Sequence, residues 1–221
     1  NSGAPVRSEL GVGNVIFPFA YQVNPNVTIG ATFKFMWSSL DMQMAASGAQ
    51  LAGMVTNASG NLAGGPGPLS GAPWARINFT DDNKFTGAAK STGFGASLGA
   101  TFKVSNEVTM GASYQFKTAL DDMKTASSGA SMTAIGGFLD NGQITVIDFQ
   151  MPAVFAMGAG WQVKPGLLMA ADLKYIGWAD SMKSFRMRYD SAQMGGSVSF
   201  AMPQNWKDQT VLNLGLAWQT S

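Results

Sequence analysis

Residues 93–116 read GFGASLGATFKVSNEVTMGASYQF, and large apolar side chains alternate along this stretch with small or polar ones. One set of positions carries Phe94, Leu98 and Phe102, whereas the interleaved set is mostly Gly, Ser and Thr. Strict period-2 alternation is typical of a β-strand with one apolar face. The alternation is interrupted once, at Ser-Asn in positions 105–106, which are turn-forming residues. The stretch therefore predicts a β-hairpin with one apolar and one polar face.

The same alternation recurs along the chain and predicts seven strands, near 12–23, 27–38, 93–104, 107–117, 152–163, 167–178 and 209–219. Tight turns join these strands in pairs, and the remaining connections are long, covering about 39–92, 118–151 and 179–208. Transmembrane barrels combine short periplasmic turns with long extracellular loops, and strands of this length can cross a bilayer. The pattern predicts an all-β chain, an antiparallel transmembrane β-barrel with the long connections outside the cell.

The composition supports this fold and excludes several functions. Only 12% of the 221 residues are charged, about half of the usual share of about 25%. A net charge of +1 argues against nucleic-acid binding, which needs a concentrated basic face. The chain contains neither Cys nor His, so Ser-His and Cys-His catalysis and His-ligated metals are excluded within it. We expect no enzyme activity, no cofactor and no metal.

The charged residues of the predicted strands fall on the faces opposite to the apolar ones. A charge facing hydrocarbon near the bilayer midplane costs about 2–4 kcal/mol, so the apolar faces should meet lipid. Asp172 and Lys174 then become charges of the barrel lumen, and each should find an opposite charge on a neighbouring strand or on a plug. Many inward positions are Gly, which predicts barrel curvature or space for a plug or ligand.

The first long connection contains a candidate binding groove. Apolar residues between 44 and 55 recur on one helical face, and Asp41 could cap the start of such a helix. A Met-rich face suits adaptable hydrophobic binding, although it could equally pack over the barrel mouth. A second apolar stretch follows in the next long connection. The candidate groove residues are Met44, Leu51, Met54, Val55 and Phe138.

Three segments carry a family resemblance: QMPAVFAMGAGWQVKP at 150–165, ADLKYIGW at 171–178 and NWKDQTVLNLG at 205–215. They resemble the long-chain fatty-acid transporter (FadL/TodX) family of outer-membrane proteins. The resemblance implies a fourteen-stranded barrel, closed by an N-terminal hatch, that takes up hydrophobic compounds without an energy source. Residues 1–221 would then be a single fragment of that barrel domain, with the hatch and the terminal strands lying outside it.

The resemblance also suggests the cargo. In the family, basic residues help to hold the fatty-acid head group, but Leu40–Gln43, near one such position, contains no Lys or Arg. Lys207 matches another such position and is the head-group candidate. Neutral hydrocarbons or aromatics are therefore possible cargo beside fatty acids. The expected partners are hydrophobic small molecules (fatty acids, hydrocarbons, detergents) and outer-membrane lipid, and the expected barrel is monomeric.

Other functions remain open on the sequence alone. A general water-filled diffusion porin is the main alternative, but porins line their lumen with polar side chains. Here several inward positions, such as Val154 and Ile176, are apolar. A barrel esterase would normally need a His beside its nucleophile. A soluble antiparallel sheet, or a soluble lipid-binding barrel, would also alternate but leaves the low charge and the alternation of short and long connections unexplained.

Overall fold

The computed structural model describes residues 4–63, 73–134 and 138–219, which are mostly β-structure. The strands are β1 (Arg7–Asn24), β2 (Val27–Ala46), β3 (Val55–Ser59), β4 (Ala75–Phe79), β5 (Ala89–Lys103), β6 (Val108–Gln115), β7 (Ala119–Leu120), β8 (Met123–Lys124), β9 (Ala130–Ala134), β10 (Phe138–Ile147), β11 (Val154–Lys164), β12 (Leu167–Ile176), β13 (Ser184–Ser191), β14 (Ser197–Pro203) and β15 (Gln209–Trp218). Two short helices are α1 (Gly48–Met54) and α2 (Trp178–Ser181). No helix in the described ranges is long and apolar enough to span a membrane.

Seven strands form the barrel sheet, in the order β1-β2-β5-β6-β11-β12-β15, with every neighbouring pair antiparallel. These are the seven predicted strands, so the predicted partial antiparallel barrel is confirmed. Strands β1, β2 and β5 run further than expected at one end, because β1 pairs with β2 as far as Gln43 and β5 pairs with β2 as far as Leu40. Among the described residues, β1 pairs only with β2 and β15 only with β12, so the sheet is an open section of a barrel.

The short turns have the local hydrogen bonds that their residues predict. Asn24 Oδ1 accepts a hydrogen bond from the Asn26 N–H at 2.9 Å, and Ser105 Oγ accepts one from the Glu107 N–H at 3.1 Å. Gly166 has φ +80°, a left-handed conformation that favours glycine. All three turns lie at the same end of the barrel sheet, so all the long connections leave the opposite end, called the outer end below.

The two faces of the barrel sheet differ as the alternation predicts. Large apolar side chains of one face are well exposed, for example Leu98 at 53% and Leu214 at 76%. The rings of Phe33 and Phe94 on neighbouring strands stack with their centroids 5.5 Å apart. Exposed Trp161 lies near the short-turn end, where aromatic girdles of membrane proteins are found. This face has the character of a surface that meets lipid.

The long connections were expected to be loops, but they contain eight strands: β3, β4, β7, β8, β9, β10, β13 and β14. Most of these strands continue from the outer half of β2 as a second sheet, in the order β2-β4-β9-β10-β13-β14-β3. We call this the loop sheet. Backbone N–H and C=O groups need partners wherever they are buried, and pairing between connections provides them. The loop sheet therefore forms a structured cap on the outer end of the barrel sheet.

The two sheets separate at one point on β2. Leu40 is the last β2 residue that pairs with β5, opposite Ala89. Two residues later, Met42 pairs with Phe79 of β4. Asp41 lies between these pairs, at the fork where β5 leaves β2 and β4 replaces it. The fork is the joint between the barrel sheet and the loop sheet.

The Asp41 carboxylate holds this fork together. Its side chain is fully buried and accepts hydrogen bonds from Thr80 Oγ1 at 2.7 Å, from the Asp81 N–H at 3.2 Å and from the Ala88 N–H at 2.6 Å. The Arg7 guanidinium lies 3.7 Å from its Oδ2. One carboxylate thus fastens both ends of the segment that connects β4 to β5.

Helix α1 begins later than predicted, so the proposal that Asp41 caps it is wrong. The cap is Ser47, whose Oγ accepts from the Gln50 N–H at 3.1 Å while Gln50 Oε1 accepts from the Ser47 N–H at 2.9 Å. This reciprocal arrangement is a capping box. Residues 41–46 stay extended because β1 and β4 pair with this part of β2. Met44 therefore lies on a strand and not on the helix.

The hydrophobic core of the described chain lies at the outer end. Its buried apolar residues belong to the long connections or to the outer ends of β2 and β5. The middle of the barrel sheet contributes no buried apolar side chain to this described core, because its two faces lie towards lipid and lumen.

Candidate binding site

The inward side chains of the loop sheet pack together into one continuous apolar core, which fills the interior of the outer end and is called the apolar chamber below. Every second residue of each strand lies on this inward face, beside its cross-strand partner. For example, Met187 of β13 pairs with Val146 of β10 on one side and with Phe200 of β14 on the other. All three are at most 3% exposed. Several methionines contribute to the chamber: Met36, Met123, Met132, Met182 and Met187. Thioether side chains adapt their shape readily, so such a chamber could repack around apolar molecules of different outline.

The structure brings most of the predicted groove residues together at this chamber. Leu51 of α1 is 1% exposed and belongs to the core itself. Met44, Met54 and Val55 are half-buried and pack against the same core. Leu51 therefore contributes to packing, whereas the other three lie at the margin, where a ligand could enter. Phe138 is the first residue of β10, and its side chain lies outside the described part of the structure.

The chamber contains a buried acid that was not predicted from the sequence. Asp140 is 1% exposed and accepts hydrogen bonds from the Tyr189 hydroxyl at 2.9 Å and from Ser191 Oγ at 3.0 Å. Burial, and then the hydrogen bond to Asp140, raise the pKa of Tyr189 far above its usual value. The alternation of Ile144 and Val146 along β10, continued backwards, reaches Asp140, so the sequence contained a signal for its inward position. Both oxygens of this carboxylate accept hydrogen bonds from protein hydroxyls, so its hydrogen bonding is satisfied without a ligand.

Tyr189→Phe should destabilise the loop sheet by about 1–3 kcal/mol, because it removes one of the two donors to a buried carboxylate. Thermal unfolding followed by limited proteolysis of the connections would measure this loss. Tyr175→Phe is the matched control, since Tyr175 also donates to an aspartate, Asp208, at 2.6 Å, but at an exposed position. It should change stability by no more than about 0.5 kcal/mol. Equal losses in the two variants would contradict the prediction.

The head-group candidate Lys207 lies in a separate depression. This depression has a volume of about 490 Å³ and is also lined by Trp178, Trp206, Asp208 and Gln209. The two Trp rings meet edge to face, with centroids 4.9 Å apart. None of the groove residues between 44 and 55 lines it. The structure thus places Lys207 beside an aromatic pair on the outer rim and not beside the predicted groove.

A second cavity lies on the inward face of the barrel sheet, nearer to the short turns. It has a volume of about 610 Å³, and its wall includes Gly30, Gly99, Gly111 and Gly158. Gly30 and Gly99 face each other across β2 and β5, and Gly111 and Gly158 across β6 and β11. Inward Gly leaves room that a side chain would fill, so this part of the lumen is wide.

The predicted lumen charges lie on the inward positions of β12. Asp172 borders the wide cavity and stands opposite Gly158 and Asn213. The Asp172 carboxylate lies over Gly158, so an added Cβ at position 158 would displace that carboxylate. Lys174 stands opposite Ala156 and Val211. The strands beside β12 therefore do not supply the opposite charges that we expected, and neither residue has an ion-pair partner in the described ranges.

Comparison with known proteins gives the family. The sequence profile of the outer membrane protein transport protein family (OMPP1/FadL/TodX) matches residues 4–221. The chain belongs to this family. Among the family's solved structures, the CymD monoaromatic hydrocarbon channel superposes with a TM-score of 0.83 at 26% identity, over 97% of this chain and 57% of CymD.

Two toluene transporters are similar to the same degree. TodX of Pseudomonas putida is 30% identical with a TM-score of 0.80, over 97% of this chain and 52% of TodX. TbuX of Ralstonia pickettii is 28% identical with a TM-score of 0.80, over 97% of this chain and 53% of TbuX. The chain thus spans little more than half the length of these FadL/TodX channels. The comparison with curated protein sequences found no match.

Proposed function

We propose that the protein is a channel of the bacterial outer membrane through which hydrophobic compounds enter by diffusion. The observation that carries the proposal is the apolar, Met-rich chamber at the outer end, placed above a wide glycine-lined lumen wall. A chamber of this kind favours partition of an apolar molecule out of water, at roughly 25 cal/mol per Å² buried. The wider, sparsely charged lumen below it offers weaker contacts, which a transported molecule needs in order to leave.

The cargo that we propose includes aromatic hydrocarbons as well as long-chain fatty acids. The relatives CymD, TodX and TbuX are described as monoaromatic hydrocarbon or toluene channels, which supports aromatic cargo. The position of Lys207 supports the same view, because the depression that it lines includes none of the groove residues Met44, Met54 and Val55. The protein would act without catalysis and without a cofactor.

Uptake of toluene by lipid vesicles that contain the protein tests this function. With the full-length protein in lipid vesicles, Met54→Asp should slow toluene uptake by about tenfold, because losing about 60 Å² of apolar contact costs roughly 1.5 kcal/mol. Gly53→Asp is the matched control: it adds the same charge next door, at an exposed position with open space around it. That variant should transport toluene at the rate of the parent protein.

The same vesicles distinguish a porin. A water-filled channel would pass small sugars such as arabinose quickly, and neither Asp substitution would change hydrophobic uptake. Fast arabinose permeation, together with unchanged toluene uptake in the Met54→Asp variant, would overturn the proposed function. Leu51 is unsuitable for this test, since it is buried and its replacement by Asp would disturb the core.

A further inference from the structure

A third, smaller cavity lies on the lumen side between the apolar chamber and the glycine-lined wall. It has a volume of about 250 Å³ and is lined by apolar Val12, Met36 and Met151 and by polar Asn14, Lys34 and Gln115. Met36 is also part of the apolar core. The cavity therefore adjoins the chamber on one side.

On its other side the cavity continues towards the wide lumen. Gly95, in its wall, shares the inward face of β5 with Gly99, which borders the glycine-lined cavity. On the inward face of β6, Gln115 likewise lines the small cavity and Ser113 borders the glycine-lined cavity. A molecule that moves from the chamber to the wide lumen along this wall passes the small cavity.

The Lys34 side chain extends across this cavity and is held by contacts at both its stem and its ammonium group. Its aliphatic stem lies over Gly95, where an added Cβ would meet Lys34 carbon atoms at 3.6 and 3.7 Å. Its ammonium then donates a hydrogen bond to Gln115 Oε1 at 2.7 Å. Gly95 carries no side chain that could occupy the path of the stem from β2 across β5 to β6. The cation is thus held at a defined place in the wall.

The Lys34 ammonium has no carboxylate partner among the residues that the structure describes. An ammonium has three N–H donors, and only one of them is used, by Gln115. A half-buried, unpaired charge is costly, and an anion at hydrogen-bonding distance would offset that cost. The wall opposite is firm, because the Met151 N–H donates to Thr118 Oγ1 at 2.8 Å.

We propose that Lys34, with Gln115 and Asn14, binds the carboxylate of an amphipathic acid while its apolar body still contacts Met36 and the chamber. The inference rests on the proposed function and adds to it a selectivity for apolar molecules with one anionic group. The carboxylate that binds Lys34 could also belong to an acidic side chain elsewhere in the protein. The test therefore distinguishes a carboxylate of the ligand from a carboxylate of the protein.

Binding of 4-ethylbenzoate and 4-ethylbenzamide to the full-length protein, measured by calorimetry in detergent at neutral pH, gives the test. The two molecules share ring and alkyl group and differ in charge. Lys34→Met keeps the aliphatic stem and should lower the affinity for the benzoate by about 10- to 100-fold, the range for a hydrogen bond to a charged group. The affinity for the benzamide should change by less than about twofold.

Lys103→Met is the matched control, because Lys103 is another inward lysine of the barrel sheet that does not line the small cavity. It should leave both affinities unchanged. Benzoate affinity that does not respond to Lys34→Met, while benzamide still binds, would overturn this inference alone. A lower unfolding temperature of ligand-free Lys34→Met with unchanged benzoate affinity would assign the carboxylate to the protein itself and also overturn it. Failure of both ligands to bind the parent protein would overturn the proposed function.

Discussion

Leu98→Arg should destabilise the folded protein in lipid vesicles by about 2–4 kcal/mol, because it places a charge on the lipid face near mid-strand. Leu98 lies between Ala31 and Tyr114 of the neighbouring strands, and its side chain is 53% exposed. In a bilayer that exposed surface would contact acyl chains. Denaturant titration of the vesicle-inserted protein, followed by Trp fluorescence, would measure the loss.

Ser113→Arg is the control for this prediction. Ser113 pairs with Gly99 and Ala156 and borders the wide cavity of the lumen face. An arginine there can stay hydrated, so the expected loss is below about 1 kcal/mol. If the two variants lost the same stability, the assignment of lipid and lumen faces to β5 and β6 would be incorrect.

The barrel sheet was predictable from sequence because its physical constraint is local. Each strand must present apolar residues to lipid at every second position, and the turns at Asn24–Asn26 and Ser105-Asn106 need particular residue types. The apolar alternation and the turn residues can both be recognised within a dozen residues of sequence. The outer ends of the strands were less predictable, since β2 runs on to Ala46 only because β1 and β4 pair with it there.

The loop sheet was not predicted because its strands depend on distant partners. β4 has five residues and pairs with the outer end of β2 and with β9, which lie far from it in sequence. No local alternation distinguishes such a short strand from a loop. Between residues 44 and 55 the error was the reverse, because a helix was predicted where part of the segment is a strand. The helical period suggested one long helix, but strand pairing restricts the helix to α1.

The candidate site was predictable in part. A Met-rich apolar surface near α1 could be read from the sequence, and the structure does bring Met44, Leu51 and Met54 to one core. The inward position of Lys34 followed from the alternation, but its path over Gly95 to Gln115 depends on the register of three strands. That register is a property of the assembled sheet.

The fork between the two sheets leads to the largest expected effect on stability. Asp41→Ala removes the acceptor for Thr80 Oγ1, for the Asp81 N–H and for the Ala88 N–H at a fully buried position. Each buried donor left unsatisfied costs about 1–3 kcal/mol, and relaxation should bring the total to about 3–5 kcal/mol. The segment from β4 to β5 should then detach, whereas the lower part of the β2–β5 ladder should stay paired.

Two measurements on the full-length protein separate these parts. Limited proteolysis should cut Asp41→Ala between residues 80 and 88 under conditions in which the parent protein is resistant. The heat-dependent shift of barrel mobility in detergent gels should remain, because the barrel sheet keeps its own pairs below the fork.

Asp41→Asn is the control. The N–H groups of Asp81 and Ala88 both bond Oδ1 of Asp41, and the amide oxygen of Asn can still accept these two hydrogen bonds. Cleavage of Asp41→Asn should therefore be much slower than cleavage of Asp41→Ala. Equal cleavage of the two variants would mean that the charge near Arg7, and not the set of accepted hydrogen bonds, holds the fork.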